Sequence, residues 1–208
     1  MSTSRAEILK AIRRHLPESS PLPPLDGPWI QYPDPRDQFG NVLQMIGGRM
    51  VHVPHLEAVA NDLQNQALFA QSKKVLCEVE GLTFSPSSAM SLVDVDSVVA
   101  AGTMADVDFA ILPGEFAVAE NAAVWCEGSK VRHRAEYFIC EHLALVVPAG
   151  KIVNNMFEAY QHLSFLTRGF GAFIAGPSKT ADIEQSLVIG AHGPRSHTVY
   201  FVDQLSER

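Results

Sequence analysis

Short, almost continuously apolar runs alternate with helical patterns along most of this chain, and no other feature restricts its fold as much. RMVHV (49–53), KKVLCEV (73–79), DFAIL (108–112), GAFIAG (171–176) and HTVYFVD (197–203) are strand-length. Strands apolar on both faces belong in a parallel sheet covered on both sides. Helical patterns lie between them. RDQFGNVLQMIGG (36–48) is stopped by Gly47 and Gly48, and PHLEAVANDLQNQAL (54–68) puts Leu56, Val59, Leu63 and Leu68 near one face. NNMFEAYQHLSFLTRG (154–169) spaces Met156, Tyr160, Leu163 and Leu166 for burial, and SKTADIEQSLVIG (178–190) reads as a further helix. FAVAENAAVWCEG (116–128) and YFICEHLALVVPAGKIV (137–153) leave little room for helices, so part of the sheet is expected to be antiparallel or hairpin-like. The expectation is an α/β three-layer sandwich with a mainly parallel sheet.

The first 35 residues read differently. Ser4 and Glu7 form a capping box, and Ile8, Leu9, Ile12 and Leu16 follow at helical spacing. This short amphipathic helix is expected to dock on the body. Seven prolines between Pro17 and Pro35 then forbid helix or central strand. They make an extended surface connector, which Trp29 and Tyr32 are expected to pin. The division is an N-terminal helix and connector at 1–35 and an α/β domain at 36–208.

Of the 208 residues, 47% are apolar, enough for one large core, and the net charge of -7 is a poor match for a nucleic-acid backbone. No run is long and apolar enough for a membrane span, and the basic N-terminus lacks the apolar core of a signal peptide. Cys77, Cys126 and Cys140 are widely spaced, which supports no disulfide scaffold, zinc ribbon or iron–sulfur cluster. His52 and His55 do not converge for a metal, because Pro54 separates them and Glu57 belongs to the next helix. Neither a metal nor a cofactor is expected, and the setting is reducing and cytoplasmic.

Special residues crowd into GPSKTADIEQSLVIGAHGP, from Gly176 to Pro194. Read as strand, turn, helix and turn, it makes Ser178 or Thr180 the N-cap, sets Asp182 and Glu184 in or near the first turn, and stops at Gly190. Helix N-termini outside the carboxyl ends of parallel strands bind anions. Gly176 and Gly193 permit close approach of backbone to a ligand, while Lys179 and His192 can add positive charge. Gly176, Ser178, Lys179, Thr180, Asp182, His192 and Gly193 are therefore candidate ligand-binding residues for a carboxylate or a phosphate.

The same run resembles the C-terminal signature of the LUD (lactate-utilisation) domain family, in particular its lactate-utilisation protein C branch. Weaker likeness covers most of the chain: AEILKAIRRHL resembles the family's N-terminal helix, DFAILPGEFAVAE its paired strands, and EHLALVVPAGKIV its histidine-containing strand with His142 in place. Asn121 and Ala122 stand where many relatives carry a threonine and a glycine. The resemblance implies the α/β fold shared with class I CoA-transferases, ribose-5-phosphate isomerase and glucosamine-6-phosphate deaminase. It also implies a part in oxidising L-lactate to pyruvate beside iron–sulfur partner proteins, for which this chain has no cluster-ligand spacing of its own. Glu120-Asn121 resembles the turn that carries the nucleophilic glutamate of class I CoA-transferases, which makes Glu120 the catalytic candidate. Asn121 and His142 are added as ligand contacts, although a histidine at a strand end is commonly structural. Three function classes stay open: a subunit of a lactate-oxidising system, a stand-alone transferase- or isomerase-like enzyme, and a scaffold or regulatory protein with a vestigial pocket.

Overall fold

A computed structural model describes residues 4–17, 20–21, 23, 27–163, 169–181, 187–190 and 192–205. The chain begins with α1 (Ser4–Arg14), α2 (Pro35–Met45), β1 (Arg49–His55), α3 (Leu56–Asn65), α4 (Ala67–Gln71), β2 (Lys74–Cys77) and β3 (Ser91–Leu92). It continues with β4 (Phe109–Pro113), β5 (Phe116–Val118), β6 (Ala123–Glu127), α5 (Glu136–Ile139), β7 (His142–Pro148) and β8 (Ile152–Val153). Last come α6 (Met156–Gln161), β9 (Gly171–Ile174), β10 (Lys179–Ala181), β11 (Leu187–Ile189) and β12 (Ser196–Gln204).

The apolar runs pair as the sequence demands. Six strands form one sheet in the order β1-β12-β7-β4-β2-β3, and each neighbouring pair is parallel. Side chains of β7 alternate between two cores. Ala144 and Val146 pack with Val59, Leu63 and Phe69 of α3 and α4, while Leu143, Leu145 and Val147 pack with Phe39 and Leu43 of α2 and with Val124 of β6. Both faces are thus buried, which is why these strands carry no polar stripe. The antiparallel part lies in a second sheet, β8-β5-β6-β9, stacked on the α2 side, and its outer face packs on α6 through Ala159. The protein is α/β with a mainly parallel central sheet. Arg49 ties α3 to that sheet through two hydrogen bonds to Asp62, which also accepts the Tyr200 hydroxyl at 2.6 Å.

Several local expectations need correction. The 54–68 helix gives Pro54 and His55 to β1, and its remainder breaks at Gln66, whose ψ of 126° is extended. Glu136–Ile139 is helix rather than strand, and β7 starts only at His142. For 154–169, α6 covers Met156–Gln161 with Asn155 as N-cap, and residues 164–168 lie outside those described. The N-terminal helix forms, yet it buries none of its residues, and Ile8, Ile12 and Leu16 are exposed. The connector is held as its aromatics suggest. Trp29 stacks on Phe157 with centroids 4.8 Å apart, and the Tyr32 amide donates to Asn154 Oδ1 at 2.9 Å.

Candidate functional site

The run from Gly176 to Pro194 contains no helix starting at Ser178. Its described residues form an antiparallel hairpin, with Lys179 opposite Ile189 and Thr180 opposite Val188. Thr180, Val188 and Ile189 are β-branched and suit a strand better than a helix. Gly176 (φ +70) and Gly190 (φ +79) bound the hairpin in left-handed conformation. Asp182 and Glu184 lie outside the described residues. The Ser178 amide donates to the Pro194 carbonyl and the Gly190 amide to the Ser178 carbonyl, so these donors are spent inside the loop pair. Lys179 Nζ donates to the carbonyl of Ile46 at the end of α2. Close approach is real here: a Cβ on Gly193 would stand 3.1 Å from Ser178 Cβ. His192 is exposed beside it.

The place of this loop pair also differs from expectation. Pro194 lies two residues before β12, and Pro177 lies 3.6 Å from the Cβ position of Gly47, two residues before β1. The loops therefore border the amino edge of the six-stranded sheet. In the second sheet they follow a carboxyl end. β5 and β9 both run antiparallel to β6, so Ala119 and Ala175 leave at one edge. The Glu120-Asn121 turn and the Gly176–Ser178 loop share that edge.

Glu120 Oε2 accepts the Met156 amide at 2.8 Å, which joins the turn to α6. Asn121 Oδ1 accepts the Ala123 amide at 3.1 Å, and between them Ala122 has φ +55. Ala122 thus occupies a glycine-type position, the one at which the resemblance to relatives departs. Left-handed strain costs an alanine roughly 1–2 kcal/mol. Its buried methyl returns about 0.8 kcal/mol. Ala122→Gly should therefore leave stability unchanged or raise it by up to about 1 kcal/mol in urea unfolding; a clear loss would mean that the strain has been overrated.

The histidines separate. His142 Nδ1 lies 2.8 Å from Ser196 Oγ, its ring faces Phe109 at 5.9 Å, and burial lowers its pKa. Phe109 belongs to the core under α3, so His142 points to the face opposite α2 and the second sheet, whose edge holds Gly176 and Ser178. His197, which the sequence did not single out, is 1% exposed. Neither of its ring nitrogens has a partner among the described residues, and burial pushes its pKa down to about 4. Burial also pushes the Cys126 and Cys140 thiols up, Cys140 to about 12, as suits inert core thiols.

A cavity lies elsewhere, at the carboxyl edge of the parallel sheet. It measures about 980 Å³ and is reached by the ends of β1, β2, β4, β7 and β12, with Trp125 and His162 across from them. None of the candidate residues above lines it. Glu78, Glu115, Glu127 and Lys130 do, and sequence reasoning missed them because they come from separate segments with no shared motif. Behind Glu78 stands Glu136, fully buried, whose Oε1 accepts the His133 amide at 2.9 Å. Burial and then the neighbouring Glu78 push its carboxyl up to about 8. Among the described residues, no three metal-ligating side chains converge to hold an ion.

The LUD domain family profile matches residues 4–202. Lactate utilization protein C of Shouchella clausii is 33% identical over 102 residues, 46% of this chain and 44% of that protein. Its namesake from Bacillus pumilus is 27% identical over 101 residues, 46% of this chain and 42% of that protein. This chain therefore spans less than half the length of the curated relatives it matches. A crystal structure of a DUF162 family protein from Deinococcus radiodurans superimposes with a TM-score of 0.57 at 17% identity, covering 81% of this chain and 96% of that one, and so shares the fold. No helix among the described residues is long and apolar enough to cross a membrane. With the family profile extending over both sheets and the helices between them, this chain belongs to the LUD domain family.

Proposed function

We propose that this chain is a component of an L-lactate utilisation system, acting in the cytoplasm with iron–sulfur partner proteins in the oxidation of lactate to pyruvate. The observation that carries the reading is the likeness to proteins named lactate utilization protein C. Its ligand is a small carboxylate, met at the edge where Gly176, Ser178, Lys179, Thr180, His192 and Gly193 gather. The helix dipole first expected there is replaced by side-chain groups: the Ser178 and Thr180 hydroxyls and the exposed His192 ring. Asn121 and Glu120 border the same edge. A Glu120 oxygen held by the Met156 amide favours a positioning role over the nucleophilic role of a stand-alone transferase.

The test is capture of the chain from its native cell, iron analysis of what comes with it, and lactate-dependent dye reduction by the assembly. His192→Ala should fold with near-normal stability, because the side chain is exposed, and should lower lactate-dependent turnover by at least about tenfold. Parent-level turnover would remove the loop pair from the site. A chain that captures no iron protein and turns over thioesters or sugar phosphates alone would overturn the whole reading.

A further inference from the structure

We propose that the cavity at the carboxyl edge of the parallel sheet binds a small organic cation, an amine or amidine carried on an apolar or aromatic body. This site is separate from the loop pair assigned above to a carboxylate, and the inference does not depend on that assignment. Open α/β sheets hold ligands outside the carboxyl ends of their strands. Five of the six parallel strands end on this cavity, whose 980 Å³ suits a small molecule.

The walls set the chemistry. Val79, Phe116, Trp125, Val146, Ile152 and Leu163 supply an apolar surface that would cover a hydrocarbon or aromatic body. Among the described residues, the charged groups on the walls are four carboxylates, Glu78, Glu80, Glu115 and Glu127, and two ammonium groups, Lys130 and Lys151. Lys130 Nζ lies 3.6 Å from Glu115 Oε2. However the two lysines pair, they neutralise at most two of the four carboxylates. The hydrogen bonds to Glu78 and Glu127 come from neutral donors and leave the charge of these two in place: both Glu78 oxygens accept the Arg132 amide, and Glu127 accepts the Ser129 hydroxyl.

A negative excess in a partly enclosed, apolar-walled space raises the local concentration of cations and repels carboxylates. Behind Glu78 stands the fully buried carboxyl of Glu136, whose Oε2 has no donor among the described residues and which, holding its proton, adds no charge of its own. The group taken up is an organic cation rather than a metal ion, since no three ligating side chains among those described converge and apolar side chains line much of the wall. The indole of Trp125 can add attraction for a cation over its face and provides the optical signal.

The experiment titrates the full chain with benzylammonium, benzyl alcohol and benzoate, followed by Trp fluorescence and calorimetry. Benzylammonium should bind saturably and at least about tenfold more tightly than the uncharged alcohol, with affinity falling as salt rises. Benzoate should not bind. Glu115→Gln should weaken benzylammonium binding. Lys130→Met, which removes one of the two countercharges, should strengthen it, so the proposal stays testable if the Glu115 variant does not fold. Equal binding of alcohol and ammonium, preference for benzoate, no saturable binding of any probe, or weaker binding by Lys130→Met would each overturn it. L-Lactate should leave the benzylammonium titration unchanged; competition between them would merge the two sites and overturn their separation.

Discussion

Glu136→Gln should make the protein more stable at pH 8 and nearly level its loss of stability with rising pH. Glu136 opens α5 with no exposed surface. Burial and Glu78 raise its carboxyl from 4.5 to about 8. The folded chain therefore keeps a proton over a range in which the unfolded chain has lost it. The sign follows: this group's contribution is full below about pH 4.5, declines as pH rises, and is gone above about 8. One retained proton corresponds to about 1.4 kcal/mol per pH unit. Relaxation and water entry reduce the full span, so a total on the order of 2–3 kcal/mol is expected. Glutamine keeps the oxygen that accepts the His133 amide and adds an N–H that can donate to Glu78. Urea unfolding of parent and variant at pH 5, 6.5 and 8 should give curves that nearly coincide at the lowest pH and separate steadily above it. Parallel profiles, or a variant less stable at pH 8, would show that Glu136 is already ionised in the folded protein.

This residue also shows where sequence reading stops. The central sheet was legible because burial on both faces leaves a local mark: Leu143 through Val147 can only be a strand covered twice. The hairpin-like part was legible in FAVAENAAVWCEG, whose turn residues interrupt two apolar runs. Glu136 leaves no such mark, since one glutamate among polar neighbours looks the same whether exposed or enclosed. The β10–β11 hairpin reads as a helix because its apolar residues also fit a 3.6-residue period, and the β-branched Thr180, Val188 and Ile189 are the local sign against it. Ile8, Ile12 and Leu16 announced an amphipathic helix, but amphipathic spacing does not say whether a surface exists to receive it. The candidate residues near Gly176 were legible as one run. The carboxyl-edge cavity was not, because its charged walls come from separate segments that only the folded sheet brings together.

Gly176→Ala should cost about 3 kcal/mol and lower the melting temperature by roughly 10 °C. Two separate terms make up the loss. At φ +70 an alanine pays roughly 1–2 kcal/mol for left-handed backbone. Its Cβ would also stand 2.9 Å from Ile46 Cγ1 and Cδ1, closer than carbon atoms tolerate, and displacing that side chain costs about 1–2 kcal/mol more. Ile46 cannot withdraw freely, because it follows α2, packs against the central core, and has a carbonyl that accepts Lys179 Nζ. The terms separate in a double-mutant cycle. Ile46→Ala clears the space, so adding Gly176→Ala in that background should cost only the backbone strain, and the coupling energy should be about 1–2 kcal/mol. Strictly additive losses would mean that the loop does not press on the end of α2. A single substitution costing less than about 1 kcal/mol would mean that the loop can shift away from the left-handed conformation altogether. The cycle therefore measures how firmly the loop bearing Ser178 and Lys179 is fixed against the sheet edge. A rigid loop is what the proposed ligand site at Ser178, Thr180 and His192 requires, since each group must be in place before a ligand arrives.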